Sequence, residues 1–278
     1  MEPYILLIAC KDRKGIIHAV TGVLLKYDLN IIANAEFVER EIGTFFMRTE
    51  FAGEIDKEVI KNEIAQLLPE GAFLELLRKR KKNIVLLATK ESHCLGDLLL
   101  RNYSNELNAN ISAVISNYSM LGDLCTKFGV QFEYISHEGK SRQEHETEIT
   151  QTLDKYKPEY LVLAKYMRIL SSEFTAGYPN RIINIHHSFL PAFIGARPYE
   201  QAYTRGVKII GATAHFVNEN LDEGPIIAQN VIPVAHSNST TDMMLSGKDV
   251  EKIVLAKALK LVLEERVFVS GNKTIIFD

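Results

Sequence analysis

The chain has 278 residues, a formal net charge of −3 and a mean hydropathy of −0.03. This length suits two domains or one large one, and the charge balance argues against a nucleic-acid partner. Apolar runs stay short of the roughly 18 residues that a membrane helix needs, and no basic segment precedes the first apolar strand as in a signal peptide. Three scattered cysteines without CxxC spacing argue against a zinc site or a disulfide framework, so we expect no metal and a reducing, cytoplasmic location.

The first 80 residues have the pattern of a ferredoxin-like βαββαβ module. Apolar and alternating segments predict four strands, and apolar residues at helical spacing predict two helices. Asp56 is the expected N-cap of the second helix. In chain order these elements are strand 4–10, helix 16–27, strands 31–39 and 44–51, helix 57–68 and strand 71–77.

A turn with Asp12, Gly15 and Ile16 opens the first helix of this module. Together with the segment 28–31, this turn resembles the ACT domain, a regulatory module on many metabolic enzymes. The resemblance implies side-by-side self-association into a homo-oligomer and an amino-acid effector bound at the seam. Gly15 would let backbone amides at the helix N-terminus approach a ligand carboxylate. The alternative is a turn that needs glycine for its backbone angle alone.

Residues 83–278 follow a different pattern, in which strands alternate with helices after the basic run 78–82, which we interpret as a solvated linker. This alternation predicts a doubly wound, mostly parallel α/β sheet. The predicted strands are 83–89, 111–116, 131–134, 160–164 and 181–185, followed by 208–217, 226–234 and a last strand at 274–277. The predicted helices are 95–107, 120–127, 142–156 and 249–267.

Three polar residues suggest chemistry at a carbonyl carbon. Asn184 and His186 end the strand 181–185, and Asp222 lies in a turn after the strand 208–217. Ligands of doubly wound sheets bind beyond the carboxyl ends of the strands, where Asn184 and His186 are expected. An amide donor, a titratable ring and a carboxylate can together stabilise a tetrahedral intermediate. A lone Asn-x-His pair would more often cap a loop, so the later Asp222 strengthens the catalytic interpretation.

Several motifs of this second region resemble the folate-dependent formyltransferases. They are Asn184-Ile185-His186, Ser188-Phe189-Leu190-Pro191 continued by 192–199, Leu221-Asp222-Glu223-Gly224-Pro225 and Tyr166-Met167-Arg168-Ile169-Leu170. With the ACT-like region and the turn 92–99, the chain resembles the formyltetrahydrofolate deformylase family. The resemblance implies hydrolysis of 10-formyltetrahydrofolate to formate and tetrahydrofolate, with no cofactor. It also implies a supply of formate for purine synthesis and control of the one-carbon folate pool.

The resemblance assigns roles to particular residues. Asn184 and protonated His186 would hydrogen-bond the formyl oxygen. Asp222 would pair with His186, which favours the protonated ring, and would accept a proton from the attacking water. The substrate would contact two segments, chiefly through backbone groups: Met167, Arg168, Ile169 and Leu170, and Asn218, Glu219, Asn220 and Leu221. The alternative for Arg168 is an ion pair that anchors its own loop.

The first strand-to-helix turn of this region favours water as the acceptor. It contains Glu91 and lacks a glycine before Gly96, whereas a phosphate ester would need backbone amides and no carboxylate. Two alternatives stay open: formyl transfer to a small amine, and a regulator that binds folate and an amino acid without turnover.

Other candidate side chains have ordinary explanations. His187 supports the loop or contacts the substrate, and the role of His93 stays open. His215, inside a strand, is either a satisfied core residue or a group that supports the site residues. His236 follows the strand 226–234 and could border the pocket. Ser188 lacks the G-x-S-x-G setting of a serine hydrolase.

Overall fold

In a computed structural model of the chain, the described residues are 3–192 and 198–278. The chain forms two compact units, Met1–Arg80 with Phe277–Asp278, and Lys81–Ile276. Among the described residues, every helix is too short or too polar to cross a lipid bilayer.

The first unit has the predicted βαββαβ order. Its four-stranded sheet has the order β2-β3-β1-β4, with antiparallel neighbours. Asp56 caps the second helix as predicted, because its carboxylate accepts hydrogen bonds from the N–H groups of Glu58 and Val59. The elements are β1 (Tyr4–Lys11), α1 (Ile16–Lys26), β2 (Asn30–Glu39), β3 (Thr44–Ala52), α2 (Lys57–Leu67) and β4 (Phe73–Arg78).

The core of this unit lies between the sheet and its two helices. Alternate residues of the central strands face the helices, as the two-residue period of a strand requires. Fully buried side chains from both layers meet there, including those of Leu6, Ile8, Met47, Leu24 and Ile60.

The second unit is built on a seven-stranded sheet with the order β11-β10-β9-β8-β5-β6-β7. Adjacent strands in the part β9-β8-β5-β6-β7 are parallel, whereas β10 runs antiparallel to β9 and β11. The predicted mostly parallel α/β sheet is therefore confirmed. Its strands are β5 (Lys82–Ala88), β6 (Ala109–Ser116), β7 (Phe132–Tyr134), β8 (Tyr160–Leu163), β9 (Ile182–His186), β10 (Ile209–Phe216) and β11 (Ile226–Pro233).

Helices cover the sheet of the second unit, and a small antiparallel pair of strands follows them. The helices are α3 (His93–Tyr103), α4 (Gly122–Lys127, after a 3-10 turn at Ser119–Leu121), α5 (Arg142–Tyr156), α6 (Ser172–Ala176), α7 (Pro198–Arg205) and α8 (Thr240–Leu263). The last two strands are β12 (Val267–Ser270) and β13 (Lys273–Ile276).

The last helix departs from the prediction. It begins at Thr240 instead of Asp249 and ends at Leu263, before Val267 starts β12. Ser239 and Asp242 form a capping box, in which each side chain bonds the other residue's backbone N–H. This box fixes the earlier start. The short helices α6 and α7 were not predicted.

The basic run is not simply a solvated linker. Lys82 is buried at the start of β5 and pairs with Glu159 and Glu265. Lys79 pairs with Glu50 at 2.8 Å. The prediction is wrong for Lys82, because a buried ammonium group requires the carboxylates that the fold places beside it.

Candidate active site

A cavity of about 380 Å³ opens beyond the carboxyl ends of β8 and β9 in the second unit. All three predicted catalytic residues line it, and so do all eight predicted substrate-binding residues. Further lining comes from Lys165, Tyr166, His187, His215 and Val217. The two sequence segments and the Asn-x-His strand end therefore lie at one place, as the topology of the sheet predicts.

Strand pairing explains how Asn184 is oriented. Asn184 in β9 lies directly opposite His215 in β10, and its Nδ2 lies 3.2 Å from His215 Nε2. His215 Nδ1 donates to the backbone carbonyl of Phe216 at 2.8 Å, since a carbonyl can only accept. His215 Nε2 can then accept one N–H of the Asn184 amide, which leaves the second N–H for a ligand.

Asp222 lies between the two histidine rings. Its Oδ2 is 3.3 Å from His186 Nδ1, and its Oδ1 is 3.6 Å from His215 Nε2. Burial alone would raise the pKa of Asp222, but the hydrogen bond with His186 leads the contacts that outweigh burial and hold the pKa well below its usual range. The carboxylate is therefore ionised at neutral pH. Its backbone has a φ of 58°, a left-handed conformation that side chains rarely adopt.

The second ring nitrogen of His186 has no partner in the part of the chain that the structure describes. His186 is 6% exposed, and its Nε2 lacks a hydrogen bond among the described residues. Buried ring nitrogens are normally satisfied, so an orphaned one indicates a function. With Nδ1 directed at Asp222, Nε2 is the atom that remains for a substrate oxygen.

The predicted folate segment forms one wall of the cavity. The Met167 N–H donates to Thr89 Oγ at 2.9 Å, which fixes the segment to the end of β5. The side chains of Met167 and Ile169 are 59% and 52% exposed, which is unusual for apolar residues beside a cavity. Arg168 makes no ion pair with any residue in 3–192 or 198–278. The structure therefore does not support the alternative that an ion pair of Arg168 anchors its own loop.

Several other candidates take structural places. Ser188 is buried, and its hydroxyl donates to the Ala192 carbonyl, so it supports its own loop. His236 is exposed and lies outside the cavity lining. His215, expected as a core residue or as a support of the site residues, directly contacts the catalytic candidates Asn184 and Asp222. Of the predicted loop 192–199, residues 193–197 lie outside the described residues.

A second cavity of about 230 Å³ adjoins the first. Lys165, Met167 and His187 line both cavities. The second one is also lined by Glu91, Tyr199, Glu200, Thr240, Met244, Lys248 and Glu251. Burial, with a smaller effect of the Lys165 charge, lowers the pKa of His187 to about 4. His187 is thus a neutral ring at the junction of the two cavities.

A network of buried charges crosses the second cavity. Glu251 is 1% exposed and accepts hydrogen bonds from His93 Nε2 at 2.7 Å and Tyr199 Oη at 2.9 Å. Lys165 Nζ lies 3.2 Å from the same carboxylate. Burial would raise the pKa of Glu251, but the His93 hydrogen bond and the Lys165 charge lower it to about 2. Sequence analysis missed Lys165, and its signal was a lysine directly after an apolar strand.

Glu91 does not face this cavity as an isolated charge. Its carboxylate lies 3.0 Å from Lys248 Nζ and 3.5 Å from His93 Nδ1. Burial would raise the pKa of Glu91, but the Lys248 hydrogen bond and the nearby cations lower it. The carboxylate of Glu91 is therefore paired with an ammonium group, so it is not the isolated charge on which the argument against a phosphate ester relied.

Ligand atoms of His93, Cys94 and Glu251 lie within 4.8 Å of one another, close enough for a metal ion. The chemistry fits poorly. The Glu251 oxygen nearest to His93 is also contacted by Lys165, and burial raises the pKa of the Cys94 thiol far above its usual range. A protonated thiol beside an ammonium group is a weak metal site, so we assign no metal here.

The predicted effector residues lie in the first unit. Gly15 has a φ of 92° and stands at the N-cap of α1, with open space where a Cβ would be. Asp12 is exposed, whereas the Ile16 side chain is buried in the core. A ligand could reach the Ile16 backbone amide but not its side chain.

Comparison with known proteins decides the family. Residues 82–259 match the formyl transferase family, and residues 4–69 match the ACT domain family. The chain is 54% identical to a formyltetrahydrofolate deformylase of Escherichia coli O6:H1, with 99% of each chain covered. The chain belongs to the formyltetrahydrofolate deformylase family.

Solved structures agree with this family. A formyltetrahydrofolate deformylase from Pseudomonas syringae superposes with a TM-score of 0.96 at 39% identity, covering 100% of this chain and 95% of the other. A glycinamide ribonucleotide transformylase from Symbiobacterium toebii gives a TM-score of 0.69 at 29% identity, covering 73% of this chain and 97% of the other. The deformylases share both units with this chain, whereas the transformylase covers only part of it.

Proposed function

We propose that the chain hydrolyses 10-formyltetrahydrofolate to formate and tetrahydrofolate. The full-length similarity to formyltetrahydrofolate deformylases supports this activity. The observation that carries the proposal is that Asn184, His186 and Asp222 line the same cavity as the 166–170 segment, with His186 beside Asp222. These are the groups that a formyl transfer to water requires.

Charge stabilisation at the formyl oxygen is the first requirement. The free N–H of Asn184 and the unpartnered Nε2 of His186, when protonated, would both donate to the oxygen as it becomes an oxyanion. A preorganised donor of this kind contributes roughly 3 kcal/mol to the transition state. Asp222 would hold the imidazolium through Nδ1.

Proton transfer is the second requirement. The ionised Asp222 would orient the attacking water and accept its proton. Because its pKa is held low, Asp222 would not retain that proton. We infer a relay through His186 or a bound water to the folate nitrogen, whose bond to the formyl carbon breaks. These steps use side chains and water, and we propose that no cofactor takes part.

Incubation of the purified protein with 10-formyltetrahydrofolate alone tests the proposal. Release of formate and tetrahydrofolate in equal amounts is expected. Turnover that requires an added amine would favour formyl transfer, the alternative suggested by the transformylase likeness. Tight folate binding without turnover would leave a regulatory protein.

We propose a cytoplasmic, homo-oligomeric enzyme with an amino-acid effector at the ACT domain. Three buried, unpaired cysteines support a reducing location. The open N-terminus of α1 at Gly15 supports the effector site. Formate released by this reaction would serve purine synthesis and set the balance of the one-carbon folate pool.

A further inference from the structure

Lys165 has a backbone conformation that is unfavourable for a lysine. It follows β8 by two residues and has a φ of 63°, in the left-handed region that favours glycine. The side chain is also buried, with a relative exposure of 4%. A strained backbone combined with a buried charge persists only where the surrounding structure holds it, and such positions cluster at functional sites.

Glu251 holds the Lys165 side chain in place. The Glu251 carboxylate lies 3.2 Å from Lys165 Nζ and is itself fixed by His93 and Tyr199. Tyr199 is in turn seated against Gly247 of α8, where a Cβ would come within 2.0 Å of the tyrosine oxygen. The lysine is therefore anchored to the longest helix of the described residues through a network with little room to move.

The place of Lys165 bears on the path of the nucleophile. The folate-side cavity contains the catalytic candidates, and the second cavity adjoins it. Lys165 lines both, together with His187 and Met167. With folate in the first cavity, a nucleophile would approach the formyl carbon from the second one. An amine carried on a larger molecule would need the space that the Lys165 side chain fills, whereas water would not.

We propose that Lys165 is a specificity-determining residue that restricts the formyl acceptor to water. Its side chain, tied to Glu251, occupies the junction between the two cavities and excludes amine acceptors. The inference rests on the proposed deformylase function and adds the group that selects the nucleophile. It also accounts for a lysine at a position whose backbone favours glycine.

Replacement of Lys165 by glycine should open this junction. In the variant, an amine nitrogen would attack the formyl carbon, the bond from that carbon to the folate nitrogen would break, and an amine proton would pass to the folate nitrogen. The products are an N-formyl amine and tetrahydrofolate. The probe is glycinamide, a small neutral amide with a free amine, supplied with 10-formyltetrahydrofolate.

The measurement is the ratio of tetrahydrofolate to formate, with and without glycinamide. The wild type should keep a ratio of one under both conditions. In Lys165→Gly, the ratio of tetrahydrofolate to formate should be several-fold above one when glycinamide is present, with formylglycinamide as the extra product. Lys165→Met retains the side-chain volume without the charge, so its ratio of tetrahydrofolate to formate should stay near one.

A ratio that stays at one in Lys165→Gly would overturn the inference. An equally raised ratio of tetrahydrofolate to formate in Lys165→Met would also overturn it. Neither result would touch the deformylase proposal, which the wild-type ratio without amine tests separately. If Lys165→Gly does not fold, a double variant with Lys165→Gly and Glu251→Gln is measured in the same way. The second substitution removes the buried carboxylate that the loss of Lys165 leaves uncompensated.

Discussion

At the scale of single residues, the candidate site depends on which groups remain unpaired. Among the described residues, His186 Nε2 has no partner and Asn184 retains one N–H, while Asp222 is held between two rings. Donors left free in a buried site are stabilised only when a ligand arrives, which is how preorganised electrostatic catalysis operates.

Loss of either catalytic side chain should stop the chemistry but not the binding. We expect His186→Ala and Asp222→Asn to lower kcat by roughly a thousandfold, because both donor and proton-acceptor functions disappear. Tetrahydrofolate affinity, measured by fluorescence titration, should change little. The exposed His236 provides a matched control, and His236→Ala should retain full activity. Near-normal rates in either active-site variant would remove the role assigned to that residue.

The buried Glu251 should make stability depend on pH. Its folded-state pKa of about 2 lies below the usual 4.5, so its stabilising contribution is present above pH 4.5 and is lost as pH falls toward 2. Glu251→Gln should therefore lower the free energy of unfolding at pH 7 by about 3 kcal/mol. At pH 3 the difference should shrink by roughly half. Urea unfolding at both pH values checks this, and a difference independent of pH would contradict it.

Where a motif covered single residues, the sequence predicted which of them the fold brings together. The catalytic and folate-segment residues all line one cavity. Contacts across strands were not accessible, because the approach of His215 to Asn184 depends on the β9–β10 register. Lys165 was missed for a similar reason: its backbone angle and its distance to Glu251 arise from the fold, since 86 positions separate the two in sequence.

At the scale of elements, the antiparallel pairing of β10 with β9 assembles the site. It places His215 beside Asn184 and directs the following turn, with Asp222, back toward His186. The strands and their order along the chain were predictable from apolar periodicity. The start of α8 was not, because the capping box at Ser239 lies outside the apolar pattern that suggested the helix.

Helix α8 provides an element-scale prediction. At Gly247 a Cβ would come within 2.0 Å of Tyr199 Oη, so Gly247→Ala should displace the tyrosine from Glu251. We expect a loss of about 1–3 kcal/mol of unfolding free energy from this overpacking. Gly22→Ala in α1 is the matched control, since its Cβ would meet nothing within 4 Å. That change should be neutral or stabilising by up to about 1 kcal/mol. Thermal unfolding of both variants checks the contrast, and equal effects would contradict the packing argument.

At the scale of the whole molecule, the chain forms two compact units that match two different families. The compositional change near residue 80 and the change from βαββαβ to alternating β and α elements made both units predictable. The basic run between them was harder to interpret, because the burial of Lys82 depends on Glu159 and Glu265, which are distant in sequence.

The first unit should bind an amino acid. Isothermal titration of the full chain with single amino acids should give heat for at least one of them. Gly15→Ala should weaken that binding about tenfold, because a Cβ would obstruct the helix amides. Gly71→Ala, at another glycine with positive φ, carries similar backbone strain and should bind normally. Absence of heat across all amino acids would leave this unit as an assembly module.

In the proposed reaction, water takes the formyl group. This step is tested most directly by turnover of 10-formyltetrahydrofolate in water enriched in oxygen-18, without any amine, followed by mass spectrometry of the formate. Hydrolysis should give one labelled oxygen per formate and one tetrahydrofolate per formate. Unlabelled formate, or tetrahydrofolate formed without formate, would contradict it.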